Sequence, residues 1–235
     1  MGRIVANGIV VEFPIYGSSS RSLKNTLLGA ATGGLLARDA ADRVVVRALD
    51  NLSFEFCEGD RVGIVGHNGS GKSTLLRVIA GAYEPVSGTI EVSGKVTSML
   101  SIMLGMEAEA TGYENIFLRA TIMGLKPKEI ESLVDEVCEF SELGDYIAMP
   151  LRTYSSGMAM RLAFAISTSV RADIILMDEW MAVGDEAFAK KSERRLNELV
   201  DKAGILVLAS QSLDTIRANC NKVMRLDHGN IVTET

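Results

Sequence analysis

Cysteine and histidine are scarce in this chain of 235 residues, which contains only three cysteines and two histidines. The cysteines, Cys57, Cys138 and Cys220, are odd in number and far apart, so they form neither a disulfide framework nor a metal-binding pattern. We therefore expect three small core residues in a reducing compartment.

Positive charge is also in short supply, because 24 Lys and Arg residues are outnumbered by 30 Asp and Glu residues, for a formal net charge of −6. A nucleic-acid-binding domain normally carries a clustered basic face, so this balance argues against nucleic acid as a partner. An acidic chain can still bind a phosphorylated ligand, since a phosphate site is local and is built largely from backbone N–H groups.

Long apolar runs are missing as well, since no segment approaches the roughly 20 uninterrupted apolar residues that span a bilayer. Residues 1–11 contain one arginine and no cleavable hydrophobic run, so we expect no secretory signal. The mean hydropathy of +0.19 suits a chain that buries surface against a partner, although a rich α/β core explains it equally well. Any membrane function is therefore expected to belong to another polypeptide.

Strand and helix patterns alternate along the chain. The predicted strands are Ile4–Phe13, Val44–Val46, Leu52–Phe56, Arg61–Val65, Ile174–Met177, Ile205–Ala209 and Val223–Leu226, with a hairpin over Tyr83–Val96 and a last short strand after residues 227–230. The predicted helices are Ser73–Ala80, Tyr113–Met123, Pro127–Phe140, Met158–Val170, Phe188–Ala203 and Leu213–Cys220. This order predicts a three-layer α/β core with a helical subdomain.

The segment from Gly66 to Ser73 has the pattern G-x-x-x-x-G-K-[ST], follows an apolar strand and precedes a helix. Its glycines allow a tight turn that points N–H groups at a phosphate, and the helix N-terminus adds positive potential. We expect Lys72 to reach the β- and γ-phosphates and the Ser73 hydroxyl to ligate Mg²⁺. The alternative, a chance glycine-rich turn, is disfavoured by the flanking strand and helix. The predicted ATP-binding residues are Gly66, His67, Asn68, Gly69, Ser70, Gly71, Lys72, Ser73 and Thr74.

The strand Ile174–Met177 delivers Asp178 and Glu179 at its carboxyl end, where ligands of open α/β sheets bind. Asp178 is predicted to hold Mg²⁺ through water, and Glu179 to be the general base that polarises the attacking water. Alone, a strand that ends in two acidic residues is more often a solvated strand end. Together with the glycine-rich loop, it indicates a site that hydrolyses ATP.

The segment Tyr154–Met158 narrows the class, because it resembles the signature of ABC ATPases, usually Leu-Ser-Gly-Gly-Gln. Serine donors at a helix N-terminus can build a second anion site, although an ordinary serine N-cap is the simpler alternative. The resemblance implies that Ser155, Ser156 and Gly157 close over the γ-phosphate bound by a second copy of the chain. It therefore implies a head-to-tail homodimer with two ATP molecules between the subunits.

Within that superfamily the chain is similar to ATPase subunits that export cell-surface polysaccharides such as O-antigen, capsule, teichoic acid or galactan. The residues that carry the similarity are Thr111–Ile116, Tyr154–Met158, Arg161–Ala165 and Asp178–Asp185. The long insert Gly17–Arg43 is also similar to that family, in which such a loop lies near the membrane subunit.

The resemblance implies a P-loop NTPase core of ABC ATPase type with an antiparallel β part, spanning about residues 1–98 and 171–235, and a helical subdomain over about 99–170. It also implies a separate transmembrane permease that contacts the polysaccharide, and a peripheral location on the cytoplasmic side of the inner membrane. Because the chain stops at Thr235, we expect the version without a C-terminal carbohydrate-binding domain.

Further site residues follow only from the resemblance. Asp185 matches the family's D-loop aspartate at the dimer seam, and Ser101 aligns with the Q-loop position near Mg²⁺, where most members carry Gln or an acidic residue. Either Phe13 or Tyr16 is expected to stack on adenine, although each can equally be a core or turn aromatic.

The sharper departure is Gln211, which stands where the family has its switch histidine. Glutamine can donate a hydrogen bond to a γ-phosphate, but it carries no titratable proton near neutral pH. We therefore expect ATP to be bound well but hydrolysed slowly, either naturally or because the position was engineered.

Three other functions compete with this interpretation. An importer or drug-exporter ATPase would have the same motifs. A soluble ABC ATPase acting on ribosomes or DNA usually has two cores or a coiled-coil insertion and a more basic face. A phosphate-loop kinase or GTPase would lack the segment Tyr154–Met158 and the helical insert.

Overall fold

A computed structural model of the chain describes residues 2–15, 36–38, 44–180 and 186–234. The strands in these ranges are β1 (Arg3–Pro14), β2 (Leu36–Arg38), β3 (Val44–Phe56), β4 (Arg61–Val65), β5 (Ser87–Ser93), β6 (Val96–Ser98), β7 (Ile174–Asp178), β8 (Ile205–Ser210), β9 (Lys222–Asp227) and β10 (Asn230–Glu234). The α-helices are α1 (Lys72–Ile79), α2 (Gly112–Ile122), α3 (Pro127–Ser141), α4 (Ser156–Ser169), α5 (Glu186–Lys202) and α6 (Leu213–Asn219).

Contacts between residues divide the chain into two compact units. The first unit comprises Met1–Gly94, Leu176–Glu179 and Ile205–Thr235, and the second comprises Lys95–Ile175 and Trp180–Gly204. The division into a core and a helical subdomain at about residue 99 and about residue 170 stays a prediction. The contact-based second unit also contains α5, which the prediction placed in the core.

An antiparallel sheet in the first unit has the strand order β2–β3–β1–β5. The predicted strands Val44–Val46 and Leu52–Phe56 are parts of the single strand β3, which pairs with β1 along almost its whole length. Asn51 takes a left-handed backbone conformation, with φ of 55°, and the register of the ladder shifts nearby. This irregularity accommodates the polar residues between the two predicted strands, so the chain continues as a single strand.

The predicted hairpin over Tyr83–Val96 is wrong. Strand β5 pairs with β1 instead, with Ile4 opposite Val92, and β6 belongs to the second unit. Turn residues indicate where a chain reverses, but they do not identify the strand that it pairs with afterwards. Here β1 provides the partner edge from far away in the sequence.

The first unit also contains parallel strands, in which β4 lies between β9 and β8 and the end of β7 follows β8. Strands β4 and β8 are buried almost throughout and are therefore continuous apolar runs. Gly63 in β4 makes room for α6, because a Cβ there would lie 2.2 Å from Ile216. The carboxyl ends of β4, β7 and β8 meet at one edge, which positions the site.

The second unit is mainly helical. A capping box between Thr111 and Glu114 begins α2, and Pro127 occupies the first position of α3. Arg119 of α2 is only 5% exposed and donates to the Ser167 hydroxyl of α4 at 3.0 Å and to the Leu104 carbonyl. Burial lowers the pKa of Arg119 to about 10.

The three cysteines are free, in agreement with the absence of a disulfide framework. The expectation of three core residues is wrong, because Cys57 is exposed and Cys138 and Cys220 are only half-buried. Cys57 directly follows β3, and the alternation of side chains along this strand places its thiol on the solvent side. Among the described helices, none is long and apolar enough to cross a membrane.

Candidate nucleotide-binding site

The predicted phosphate loop connects β4 to α1. Gly69 and Gly71 have φ of 81° and 106°, which other residues rarely adopt. A Cβ on Gly71 would also lie 2.7 Å from the Ala48 carbonyl oxygen. Gly71 is the N-cap of α1 and provides no side-chain cap, so the first N–H groups of α1 remain available for an anion.

Lys72 is buried at the bottom of this loop, with 7% exposure. Its ammonium donates to the carbonyl oxygens of Gly66 at 2.7 Å and of His67 at 3.0 Å. Nearby, the hydroxyl of Ser70 is buried and has no hydrogen-bond partner among the described residues. A lysine ammonium beside the uncapped N–H groups at the beginning of α1 fits the oxygen atoms of a polyphosphate.

Ser73 and Asp178 come together at the carboxyl ends of β4 and β7. The Ser73 hydroxyl donates to the Asp178 carboxylate at 2.6 Å. A hydroxyl and a carboxylate oxygen are the hard ligands that Mg²⁺ prefers. The pair therefore fits the cation that accompanies a bound nucleoside triphosphate.

Glu179 follows Asp178 in a left-handed conformation, with φ of 77°. Such a conformation costs about 1 kcal/mol for a residue with a Cβ and is typical of functional sites. Its N–H donates to the Ala209 carbonyl at 2.8 Å, while its carboxylate accepts from the Ser210 hydroxyl at 2.6 Å and from the Gln211 N–H at 3.2 Å. Strand β8 thus holds the carboxylate in one orientation.

Gln211 lies just after β8, and its side-chain amide donates to the Asn68 side-chain oxygen at 2.8 Å. The phosphate loop and the end of β8 are joined by this bond. Asn68, Lys72, Ser73, Asp178, Glu179 and Gln211 all line one cavity of about 620 Å³. The structure therefore brings the predicted phosphate, metal and base residues of the first unit together.

Of the two adenine candidates, Tyr16 lies outside the described residues. Phe13 is half-buried, and its ring packs edge-on against Tyr83 with the centroids 5.3 Å apart. The aliphatic side chains of Val46 and Ala48 form part of the cavity wall. These two were not predicted, because two small apolar residues in a strand carry no signal for a ligand.

The remaining predicted residues belong to the second unit or are not described. Ser155 is the N-cap of α4 and accepts from the Met158 N–H at 3.2 Å, so the ordinary capping bond is present. Ser155 and Ser156 are both exposed. Ser101 is exposed in a turn of the second unit, and Asp185 lies outside the described residues.

Comparison with known proteins identifies the family. Residues 49–182 match the family described as "ABC transporter". The chain belongs to this family. The match supports an ATPase, and an ABC ATPase domain implies that the chain binds nucleotide.

Relatives within the ABC family extend beyond the matched segment. The chain is 43% identical over 235 residues to the O-antigen export system ATP-binding protein RfbE of Yersinia enterocolitica, covering all of this chain and 98% of that one. It is 40% identical over 208 residues to the O-antigen export system ATP-binding protein RfbB of Myxococcus xanthus, covering 88% of this chain but 47% of that one. It is 40% identical over 184 residues to the teichoic acids export ATP-binding protein TagH of Bacillus anthracis, covering 78% of this chain and 33% of that one.

Solved structures confirm the ABC ATPase fold. The chain is similar to the dimeric ATP-binding cassette MJ0796 bound to ADP and Pi, with a TM-score of 0.70 and 18% identity, covering 99% of this chain and 97% of that one. An ATP-binding subunit of an ABC transporter gives a TM-score of 0.71 with 20% identity, covering 99% and 89%. At this level of identity, the likeness concerns the fold.

Two parts of the site were missed by sequence reasoning. Ser210 is fully buried and holds Glu179, although it lies beside the predicted Gln211. The turn after β9 contacts the phosphate loop, because the Gly229 N–H donates to the Ser70 carbonyl at 3.0 Å. Ser210 directly precedes Gln211 in the sequence, whereas the contact of Gly229 joins residues far apart in sequence.

Proposed function

We propose that this chain is the ATPase subunit of an exporter of a cell-surface polysaccharide. The observation that carries the proposal is the 43% identity to an O-antigen export ATP-binding protein over the full 235 residues. Teichoic acid export proteins among the relatives extend the same substrate class to a second kind of polymer. An importer ATPase with the same motifs would not be expected to have this set of relatives.

ATP and Mg²⁺ are the proposed ligands of the cavity of about 620 Å³. Bound Mg²⁺ would supply positive charge that offsets the negative charge of the phosphates. Ser73 and Asp178 would hold it, directly or through water, since their oxygens already lie 2.6 Å apart. Lys72 would leave its two carbonyl partners to contact the β- and γ-phosphates.

Glu179 is the proposed general base. Held by Ser210 and the Gln211 N–H, its carboxylate would accept a proton from the water that attacks the γ-phosphorus. The bond between that phosphorus and the bridging oxygen breaks, so that ADP and inorganic phosphate are the products. Gln211 would donate its amide hydrogen to a γ-phosphate oxygen in place of the family's histidine.

A second copy of the chain is the proposed donor of the remaining contacts. Ser155 and Ser156 are exposed at the beginning of α4, where the helix dipole and N–H groups favour an anion. The γ-phosphate bound by the other copy would be that anion, and Asp185 would lie at the seam. Ser101 would approach Mg²⁺ only through a water molecule.

A membrane permease is the proposed second partner, on the cytoplasmic side of the inner membrane. Three apolar side chains of the second unit support this, since Leu104, Leu118 and Ile122 are 72%, 43% and 65% exposed. Apolar residues clustered in this way are typical of an interface with another protein. The permease would contact the polysaccharide, and ATP-driven closure of the two ATPase copies would drive its movement.

The test is export by the assembled transporter. Cells lacking the relevant ATPase subunit would be supplied with this chain and its permease, and surface polysaccharide would be measured together with ATP hydrolysis. We expect export to be restored by this chain and lost with Glu179→Gln, which leaves ATP binding in place. ATP hydrolysis that is stimulated by a different class of substrate, with no effect on surface polysaccharide, would overturn the proposal.

Slow turnover is a separate part of the proposal, because Gln211 cannot accept and release a proton as histidine does. Gln211→His in the assembled transporter is expected to increase steady-state ATPase activity, with little change in ATP affinity. The control variant is Asn68→Ala, because it removes the acceptor of the Gln211 side chain without adding a histidine. Equal rates for the parent and Gln211→His would show that the histidine's role is not missing.

A further inference from the structure

The two histidines of the chain, His67 and His228, lie next to each other although 160 residues separate them in the sequence. Their ring centroids are 4.7 Å apart. Asp227 lies between them, with its carboxylate oxygen 3.0 Å from His67 Nε2 and 3.8 Å from His228 Nε2. We call these three residues the histidine cluster. His67 is also one of the predicted ATP-binding residues, whereas Asp227 and His228 have no role in the proposed transport function.

The geometry around His67 leaves its Nε2 for the cluster. His67 Nδ1 lies 2.7 Å from the backbone carbonyl oxygen of Asn68, which can only accept a hydrogen bond. His67 Nε2 faces the Asp227 oxygen at 3.0 Å. Either the proton of a histidine–aspartate pair or a metal ion can lie between these two atoms, and a Zn²⁺ titration distinguishes the two.

The surroundings of His67 match those of a metal-bound imidazole. Histidine ligands characteristically donate the second ring N–H to a carbonyl or carboxylate, as His67 does to Asn68. His228 lacks this second contact, because its buried Nδ1 has no hydrogen-bond partner among the described residues. Its φ of 45° lies in the left-handed region, where histidine, asparagine and aspartate are the enriched non-glycine residues.

The distances also suit a first-row transition metal. Two ligands on a tetrahedral zinc ion, with bonds of about 2.0 Å, lie about 3.3 Å apart. One atom from each member of the histidine cluster lies within 4.8 Å of the others, so small side-chain rotations suffice to reach this spacing. Two imidazoles and one carboxylate favour Zn²⁺, Ni²⁺ or Cu²⁺ over Mg²⁺, which prefers oxygen ligands.

We propose that His67, Asp227 and His228 form a site for a divalent transition-metal ion of the Zn²⁺ class, with water completing its coordination. The ion would join the phosphate loop to the turn between β9 and β10. That turn already contacts the loop, because the Gly229 N–H donates to the Ser70 carbonyl at 3.0 Å. The site is separate from the Mg²⁺ ligands Ser73 and Asp178.

The experiment titrates Zn²⁺ into the metal-stripped chain, prepared without a histidine tag and in excess Mg²⁺. Calorimetry measures stoichiometry and affinity, and two-dimensional NMR of the imidazole groups follows both histidines, whose signals are the only ones of their kind. We expect one Zn²⁺ per chain and simultaneous shifts of both imidazoles. Asp227→Asn and His228→Asn are each expected to weaken Zn²⁺ binding by at least about 10- to 100-fold, which is the loss seen when a residue that only hydrogen-bonds to a metal ligand is removed.

The controls separate this site from other ligands. His228→Asn keeps a residue that tolerates left-handed backbone, so its effect is not one of misfolding. Asp214→Asn removes the same charge from an exposed position on α6, and Cys57→Ser removes the exposed thiol. Both are expected to bind Zn²⁺ like the parent. The proposal is overturned if binding follows Cys57, if only one imidazole responds, or if excess Mg²⁺ abolishes it, which would leave only a histidine–aspartate hydrogen bond.

Discussion

Ser210→Ala tests whether β8 positions Glu179, the proposed general base. Ser210 is fully buried, and its hydroxyl donates to the Glu179 carboxylate at 2.6 Å. A hydrogen bond to a charged group contributes about 1.5–3 kcal/mol. If that contribution holds the carboxylate in its reactive orientation, its loss reduces kcat by about 10- to 100-fold. Some activity remains, because the Gln211 N–H still donates to the other carboxylate oxygen.

The assay is steady-state ATP hydrolysis by the assembled transporter, with ATP binding measured separately. ATP affinity should stay nearly constant, since Lys72 and Ser73 make no hydrogen bond to Ser210 among those of the described residues. The matched control is Ser192→Ala in α5, which removes a hydroxyl that is equally buried and donates to the Ala189 carbonyl at 2.9 Å. A kcat unchanged by Ser210→Ala, or reduced equally by Ser192→Ala, would refute the reasoning.

Three further predictions concern binding, reactivity and stability. Lys72→Ala should weaken ATP binding at least about tenfold by removing a buried charge, while the exposed Lys95→Ala should not; equal affinities in an equilibrium binding assay would contradict this. Cys57 should be alkylated before Cys220, because Cys57 is exposed and burial raises the pKa of the Cys220 thiol to about 11. Alkylation of Cys220 should become faster only as the pH rises toward that value, and mass spectrometry of the modified peptides gives the order. Arg119→Ala should lower the free energy of unfolding by about 1–3 kcal/mol, because the buried Ser167 hydroxyl and the half-buried Leu104 carbonyl lose their donor; denaturant titration would measure this.

Local sequence patterns predicted the elements that depend on local physics. Strand β4 has the bounds expected from its apolar run, Arg61–Val65. Helix α3 begins at Pro127 as expected, and ends one residue later than Phe140. A buried run of apolar residues and a proline at the first helical position constrain the backbone wherever the segment lies in the fold.

Pairing between distant segments was less predictable. The hairpin error arose because β5 finds its partner β1 about eighty residues earlier, and loop closure over such a length adds only modestly to the cost of folding. The histidine cluster was not predicted for the same reason, since neither the sequence around His67 nor the turn after β9 contains a local metal-binding pattern. Ser210 was missed for a different reason: a buried serine in an apolar strand is usually satisfied by the backbone.

Binding and turnover are proposed to depend on different groups in this site. Lys72 and the loop glycines are fixed by local geometry, so their proposed role in holding phosphate needs no contribution from β8. Gln211 is different, because one of its two amide hydrogens is already donated to Asn68 at 2.8 Å. This bond fixes the orientation of the amide, while the second hydrogen stays available to a γ-phosphate oxygen. Gln211 can therefore help to hold the phosphate, but it has no titratable proton to exchange near neutral pH. For that reason we expect this chain to bind ATP more readily than it hydrolyses it.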